Sequence, residues 1–133
     1  TPALGAGSPS SILGSPTNMI KIIKTPLSIA ELKESRHERY DEMIKAVVDI
    51  ELGLMAVGGE FHADEEAILL ERGSKQENLW GINIHFEKMK KEERIEFDSM
   101  INIRPRQGNR SRNVENEEIK KQIIVVVDQL LHE

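Results

Sequence analysis

Two stretches of this chain carry side chains whose types and spacing could do chemistry. The first is Ile101 to Arg112, INIRPRQGNRSR, with Arg104, Arg106, Arg110 and Arg112 and no acid among them. A guanidinium offers planar paired donors to a carboxylate or phosphate, and Gly108 would let backbone amides converge on the same anion. Gln107 and Asn109 add hydrogen-bonding carboxamides. The expected binding site for a small anionic ligand is therefore Arg104, Arg106, Gln107, Gly108, Asn109, Arg110 and Arg112. The second stretch is Gly58 to Asp64, GGEFHAD. If its residues are extended, Glu60, His62 and Asp64 share one face, while Phe61 and Ala63 take the other.

Those three polar residues suggest catalysis. Glu60, His62 and Asp64 are candidates for a base with an orienting acid, and His62 and Asp64 for ligands of a divalent metal. Arg104, Arg106 and Arg110 would then neutralise a phosphate-like transition state, making a metal-dependent hydrolase of phosphate-containing substrates the alternative to simple binding. The spacing is much less specific than a zinc signature such as HExxH. A plainer reading competes with both: the arginines pair with the chain's own acids, Asp49, Glu51, Glu60 or Asp98, and the remainder are solvated. A third class is an interaction protein, in which a sheet edge or the arginine loop forms a homodimer contact. His37, His85 and His132 read as solvated side chains. No phosphate-binding loop, dinucleotide fingerprint or nucleophile elbow is present, so the residues name no cofactor and leave open whether the protein is an enzyme.

Composition narrows the partners. The formal net charge is −5, which argues against a protein that coats nucleic acid through its overall field and makes any anion site local. Aromatic residues are 4% of the chain, too few to interleave with basic groups as single-strand binders do. There is no cysteine, which removes disulfides, thiolate metal sites and thiol nucleophiles together and fits a reducing, cytoplasmic setting. No run approaches the roughly 18 apolar residues of a membrane span.

The elements that must position these residues follow from patterning. Residues 1–18 carry no charged side chain and are mostly Gly, Ser, Pro and Ala; they are expected to be a disordered native tail or an artificial extension. Residues 19–133 are expected to form a single domain. Met19 to Ile23 reads as a strand. Ser28 and Glu31 make a capping box, with Leu27 and Leu32 packing across it, so a helix begins at Ile29. Ile29, Leu32, Tyr40, Met43 and Ile44 would line its inner side, its end being left open. Ala46 to Ile50 and Leu54 to Val57 form a hairpin about Glu51, Leu52 and Gly53. Gly58 and Gly59 close it where the backbone turns sharply or approaches something closely.

A second helix follows Asp64, with Ala67, Leu69 and Leu70 before a stop at Gly73. Leu79 to Phe86 alternates as a strand with one buried side, Trp80, Ile82, Ile84 and Phe86. Arg94 to Ile103 repeats the alternation, with Ile95, Phe97, Ile101 and Ile103 inward, and ends at Pro105. Asn116 caps a last helix whose stripe is Ile119, Ile123, Val126, Val127, Leu130 and Leu131. The fold class is therefore α+β: a mostly antiparallel sheet of four to five strands with three helices, packed on one face.

The runs VVDIELGLMAVGGEFHADEEAILLERGSKQENLWGINI and INIRPRQGNRSR resemble a family of small prokaryotic proteins known only as a domain of unknown function, number 5674. The likeness spans nearly the whole chain after residue 18. Its most specific pieces are GGEFHADEEAILLERGS and NIRPRQGNRS, and Phe86 to Arg94 is less typical. The resemblance implies boundaries and no activity. On the residues alone, the GGEFHAD turn and the arginine loop are expected to form one polar site.

Overall fold

Two seven-residue strands, each buried at consecutive positions over most of its length, organise the molecule. The computed structural model describes residues 20–133, so the expected tail, residues 1–18, and Met19 lie outside the described part. Its strands are β1 (Lys21–Ile23), β2 (Leu27–Ser28), β3 (Met43–Asp49), β4 (Leu54–Val57), β5 (Leu79–His85), β6 (Ile95–Glu96) and β7 (Leu131–His132). The helices are α1 (Ile29–Glu34), α2 (His62–Glu71) and α3 (Glu117–Leu130). Five strands pair antiparallel in the order β1-β4-β3-β5-β6, and β2 and β7 pair parallel as a separate ribbon. The α+β class with three helices is what the molecule has.

The two capped helix starts read from the sequence are present, while the helix expected after Asp64 begins earlier, at His62. Glu31 N–H donates to Ser28 Oγ at 3.1 Å while Ser28 N–H donates to Glu31 Oε1 at 2.8 Å. Asn116 Oδ1 accepts from the amides of Glu118 and Ile119 at 2.9 and 3.0 Å. The first helix ends at Glu34, however, and Met43 and Ile44 belong to β3. A β-branched and apolar run, IKAVVDI, is better accommodated at the centre of a sheet than as the end of a polar helix.

The helices do not lie on one face, which corrects the expected layering. Ile44, Ala46 and Val48 of β3, with Trp80, Ile82 and Ile84 of β5, join Leu32 of α1 and Ile123, Val126, Val127 and Leu130 of α3 in the larger core. Val47, Ala56 and Leu79 point the other way and meet Leu69 of α2, with Ile22, Leu54 and Ile101 around them. Strand β5 is buried on both sides, and not on the one expected side alone, because Gly81 and Asn83, opposite the face of Trp80 and Ile82, are covered as well. Small and polar residues in alternation resemble an exposed face unless their hydrogen-bond partners are known.

The expected strand from Arg94 to Ile103 is realised only at Ile95–Glu96. Ser99 Oγ accepts from Ile101 N–H at 3.3 Å, and Met100–Asn102 forms a single 3₁₀ turn. Ile101 consequently packs in the smaller core, opposite Ile95 and Phe97, and Ile103 is exposed. Where β6 stops, side chains replace it. Asn102 Oδ1 accepts from Gly81 N–H at 2.8 Å and its Nδ2 donates to Gly81 O at 3.0 Å. Two residues back, Arg104 donates to Leu79 O. The edge of β5 is thus satisfied by a strand at Asn83 and by two side chains at Gly81 and Leu79.

Gly81 is required for this arrangement. A Cβ built there would lie 2.6 Å from both Cβ and Oγ of Ser99 and 3.2 Å from Cδ2 of His62. Gly81→Ala is expected to destabilise the protein by about 2 kcal/mol, because neighbours held by the 98–112 segment must move. Chemical denaturation measures it, and a variant as stable as the parent would show that Ser99 yields freely.

Candidate functional site

The residues that share a cleft are not those the chain order groups together. Lys45, Phe61, His62, Ala63, Ser99, Met100, Ile101 and Arg112 line a depression of about 330 Å³ on the α2 face of the sheet. Lys45 is placed by β3, opposite Asn83 of β5, whose other neighbour is Glu96 of β6. His62 is the first residue of α2, and Ser99 and Arg112 belong to the segment that follows β6. Phe61 and Met100 expose apolar surface at the rim.

Each polar group has a definite state. His62 is 7% exposed, and its Nε2 lies 2.7 Å from Ile82 O. A carbonyl only accepts, so Nε2 carries the proton and the neutral ring keeps its lone pair on Nδ1. Burial pulls the imidazole pKa down to about 4, against a smaller raising effect of that hydrogen bond. Lys45 is half-buried, and burial lowers its pKa despite the opposing fields of Glu65, Asp98 and Glu96. Its Nζ stands 5.2 Å from the centroid of the Tyr40 ring. Arg112 is held at both ends: its Nε is 2.6 Å from Asp98 Oδ1, and its carbonyl accepts from Ser99 N–H at 3.1 Å and Asn102 Nδ2 at 2.9 Å.

Behind the cleft, α2 buries His62, Glu65 and Leu69, a helical stripe whose first two members are polar. Glu65 is fully buried, its Oε2 accepting from Gly59 N–H at 2.8 Å while Oε1 has no partner. Burial raises its pKa well above the usual carboxyl value, so it is the protonated acid that fits this position. Gly59 is the close approach expected from the sequence: a Cβ there would sit 3.1 Å from Glu65 Cγ.

The arginine loop divides. Arg104 is built into the fold, its guanidinium 4.1 Å above the Trp80 ring and donating to Gln76 O, Leu79 O and Gln107 Oε1. Gln107 Nε2 reaches Glu77 O at 3.1 Å, and Gly108 N–H donates to Pro105 O at 2.9 Å to close the turn. Asn109 is buried with its Nδ2 on the carbonyls of Asn102, Ser111 and Asn113 and its Oδ1 accepting from Glu115 N–H. Arg112 pairs with Asp98, one of the acids named as competitors. Arg106 and Arg110 are exposed, and neither forms an ion pair among the described residues.

The GGEFHAD turn is not extended throughout. Helix α2 begins at His62, so Glu60, His62 and Asp64 do not share a strand face. Glu60 is 3.1 Å from Arg39, and its carbonyl accepts from Tyr40 Oη at 2.7 Å. Asp64 lies in the first turn of α2, where a negative charge suits the helix dipole. Among the described residues no three His, Cys, Asp or Glu side chains are grouped closely enough to hold a metal ion. Of the residues singled out in the two stretches, the cleft unites His62 with Arg112. Sequence reasoning missed Lys45, Ser99 and Asn102. A lysine inside the apolar run IKAVVDI was the available signal for the first, while the other two depend on the turn that replaces the end of β6.

The family model of a protein of unknown function, DUF5674, matches residues 21–130. No curated protein and no solved structure matches the chain. Among the described residues no helix is long and apolar enough to cross a membrane.

Proposed function

Since this chain belongs to the DUF5674 family, whose description carries no activity, we propose from the cleft itself that the protein binds a small carboxylate- or phosphate-bearing molecule. One observation carries the reading: Lys45 and Arg112, brought from β3 and from the arginine loop, line the same depression with neutral His62 and Ser99. Two cations in a partly desolvated recess attract an anion more strongly than the same charges in open water. The start of α2, where Phe61 provides no side-chain cap, adds a favourable dipole. Phe61 and Met100 at the rim supply contact for an apolar part of the ligand.

This narrows the arginine loop's part in binding to Arg112, with Arg104, Gln107, Gly108 and Asn109 shaping the loop. Arg106 and Arg110 extend outward and steer anions toward the region. The hydrolytic alternative through Glu60, His62 and Asp64 has less support, because Glu60 is already engaged by Arg39 and Tyr40.

Thermal melting with inorganic phosphate, lactate and nucleotides tests the reading. A ligand at a hundred times its Kd stabilises a protein by about 2.7 kcal/mol. The expected result is a rise in Tm that Arg112→Gln removes and Arg106→Ala leaves in place. A rise abolished by Arg106→Ala alone would move the ligand to the outer loop, and no rise with any anion would end the proposal.

A further inference from the structure

Resting on the anion-binding reading of the same cleft, we propose that Lys45 is a nucleophile: its amine condenses with the carbonyl carbon of a 2-oxo acid whose carboxylate is held by Arg112. Lysine reacts with carbonyl compounds only through its neutral amine form, and desolvation raises the share of that form in equilibrium with the ammonium. Lys45 has that environment. It is half-buried, it makes no ion pair within 4.0 Å among the described residues, and it borders open space in the cleft and not only protein.

The fields acting on it are mixed. Glu65, Asp98 and Glu96 favour the ammonium, Arg112 disfavours it, and burial outweighs the acids. Glu65 acts less as a counter-ion than its proximity suggests, because its own burial favours the protonated acid. Asp98 is already paired with Arg112. His62 lines the cleft as a neutral ring and so adds no further positive charge beside the amine.

The chemistry is self-contained. The amine nitrogen attacks the carbonyl carbon as the C=O π bond opens, giving a carbinolamine. One nitrogen proton passes to the former carbonyl oxygen to make the hydroxyl, the second leaves with that hydroxyl as water, and a C=N bond to Lys45 remains. No oxidant or reductant is consumed. A 2-oxo acid fits because its electrophilic carbon is bonded directly to its carboxylate, matching an amine and a guanidinium that line one small recess. Phe61 and Met100 would take the substituent beyond the ketone.

Pyruvate with cyanoborohydride, which reduces an imine to a stable secondary amine, tests this on the full chain by intact mass and peptide mapping. Lys45 is expected to be labelled on the order of tenfold faster than any other lysine. Lys45→Arg should lose that adduct while keeping the charge and the fold, which circular dichroism and melting verify. Arg112→Gln should lose about tenfold in labelling by pyruvate and little with propionaldehyde, which has no carboxylate. Labelling spread evenly over the lysines overturns the proposal, as does equal labelling of Lys45 by pyruvate in the parent and in Arg112→Gln. Melting with lactate, which has the carboxylate without the ketone, runs in parallel. Stabilisation by lactate with no Lys45 adduct removes the nucleophile and keeps the anion site; absence of both removes both.

Discussion

Asn102→Ala is expected to cost about 4 kcal/mol of folding stability, one of the largest effects of any single truncation outside the apolar core. The Asn102 carboxamide is fully buried and takes the place of a neighbouring strand for Gly81, accepting from its N–H at 2.8 Å and donating to its carbonyl at 3.0 Å. It also holds the Arg112 carbonyl at 2.9 Å. Alanine fills none of these roles, and each buried group left without a partner costs about 1–3 kcal/mol. The denaturant midpoint should fall with the slope unchanged. Because the same side chain ties Arg112 to β5, anion binding should weaken in the folded fraction as well. Asn102→Asp, which keeps only the acceptor for Gly81 N–H, should be no better. A loss below about 1 kcal/mol would mean that water enters and takes over the edge of β5.

The second large effect is acid sensitivity at His62. Its pKa is lowered from 6.5 to about 4 in the fold, so between those values the unfolded chain binds the proton that the folded protein refuses. Stability from this residue is therefore fully present above pH 6.5 and is lost as pH falls through about 4. A difference of that size corresponds to about 3 kcal/mol. Glu65 has the opposite sign: its pKa is raised, so its contribution is present below 4.5 and declines as pH rises through its folded value. The two overlap, and the comparison that isolates His62 is with His62→Gln, which retains a donor for Ile82 O and does not titrate. The stability of the parent relative to this variant should fall by about 3 kcal/mol from pH 6.5 to pH 4. Parallel pH curves for the two proteins would show that the ring is protonated at little cost.

The division of the arginine loop follows from a physical ambiguity. Arg104 and Arg112 are the same residue type in the same polar stretch, yet one is stacked on Trp80 and bound to carbonyls while the other borders the cleft beside Asp98. Nothing local separates them, because a guanidinium satisfies buried carbonyls as readily as it recruits an anion. Asn109 shows the same: a carboxamide suited to contact a ligand, it spends its side chain on four backbone groups of nearby residues. His62 stands at the start of α2 and not on the expected strand face, yet it borders the cleft.

Local signals in the sequence were sufficient for the α+β class, the capped starts of α1 and α3, the hairpin of β3 and β4, and the apolar faces of β5 and α3. All rest on interactions within a few residues of one another or on strict periodicity. Tertiary structure decided that α2 covers the second face of the sheet, that β6 stops after two residues, and that Asn102 and Arg104 complete the edge of β5 in its place. It also decided that Lys45 of the sheet and Arg112 of the loop line one cleft with His62. Those outcomes turn on pairing buried backbone groups between segments 20 or more residues apart, and such partners are fixed by the packed chain and not by neighbours in sequence.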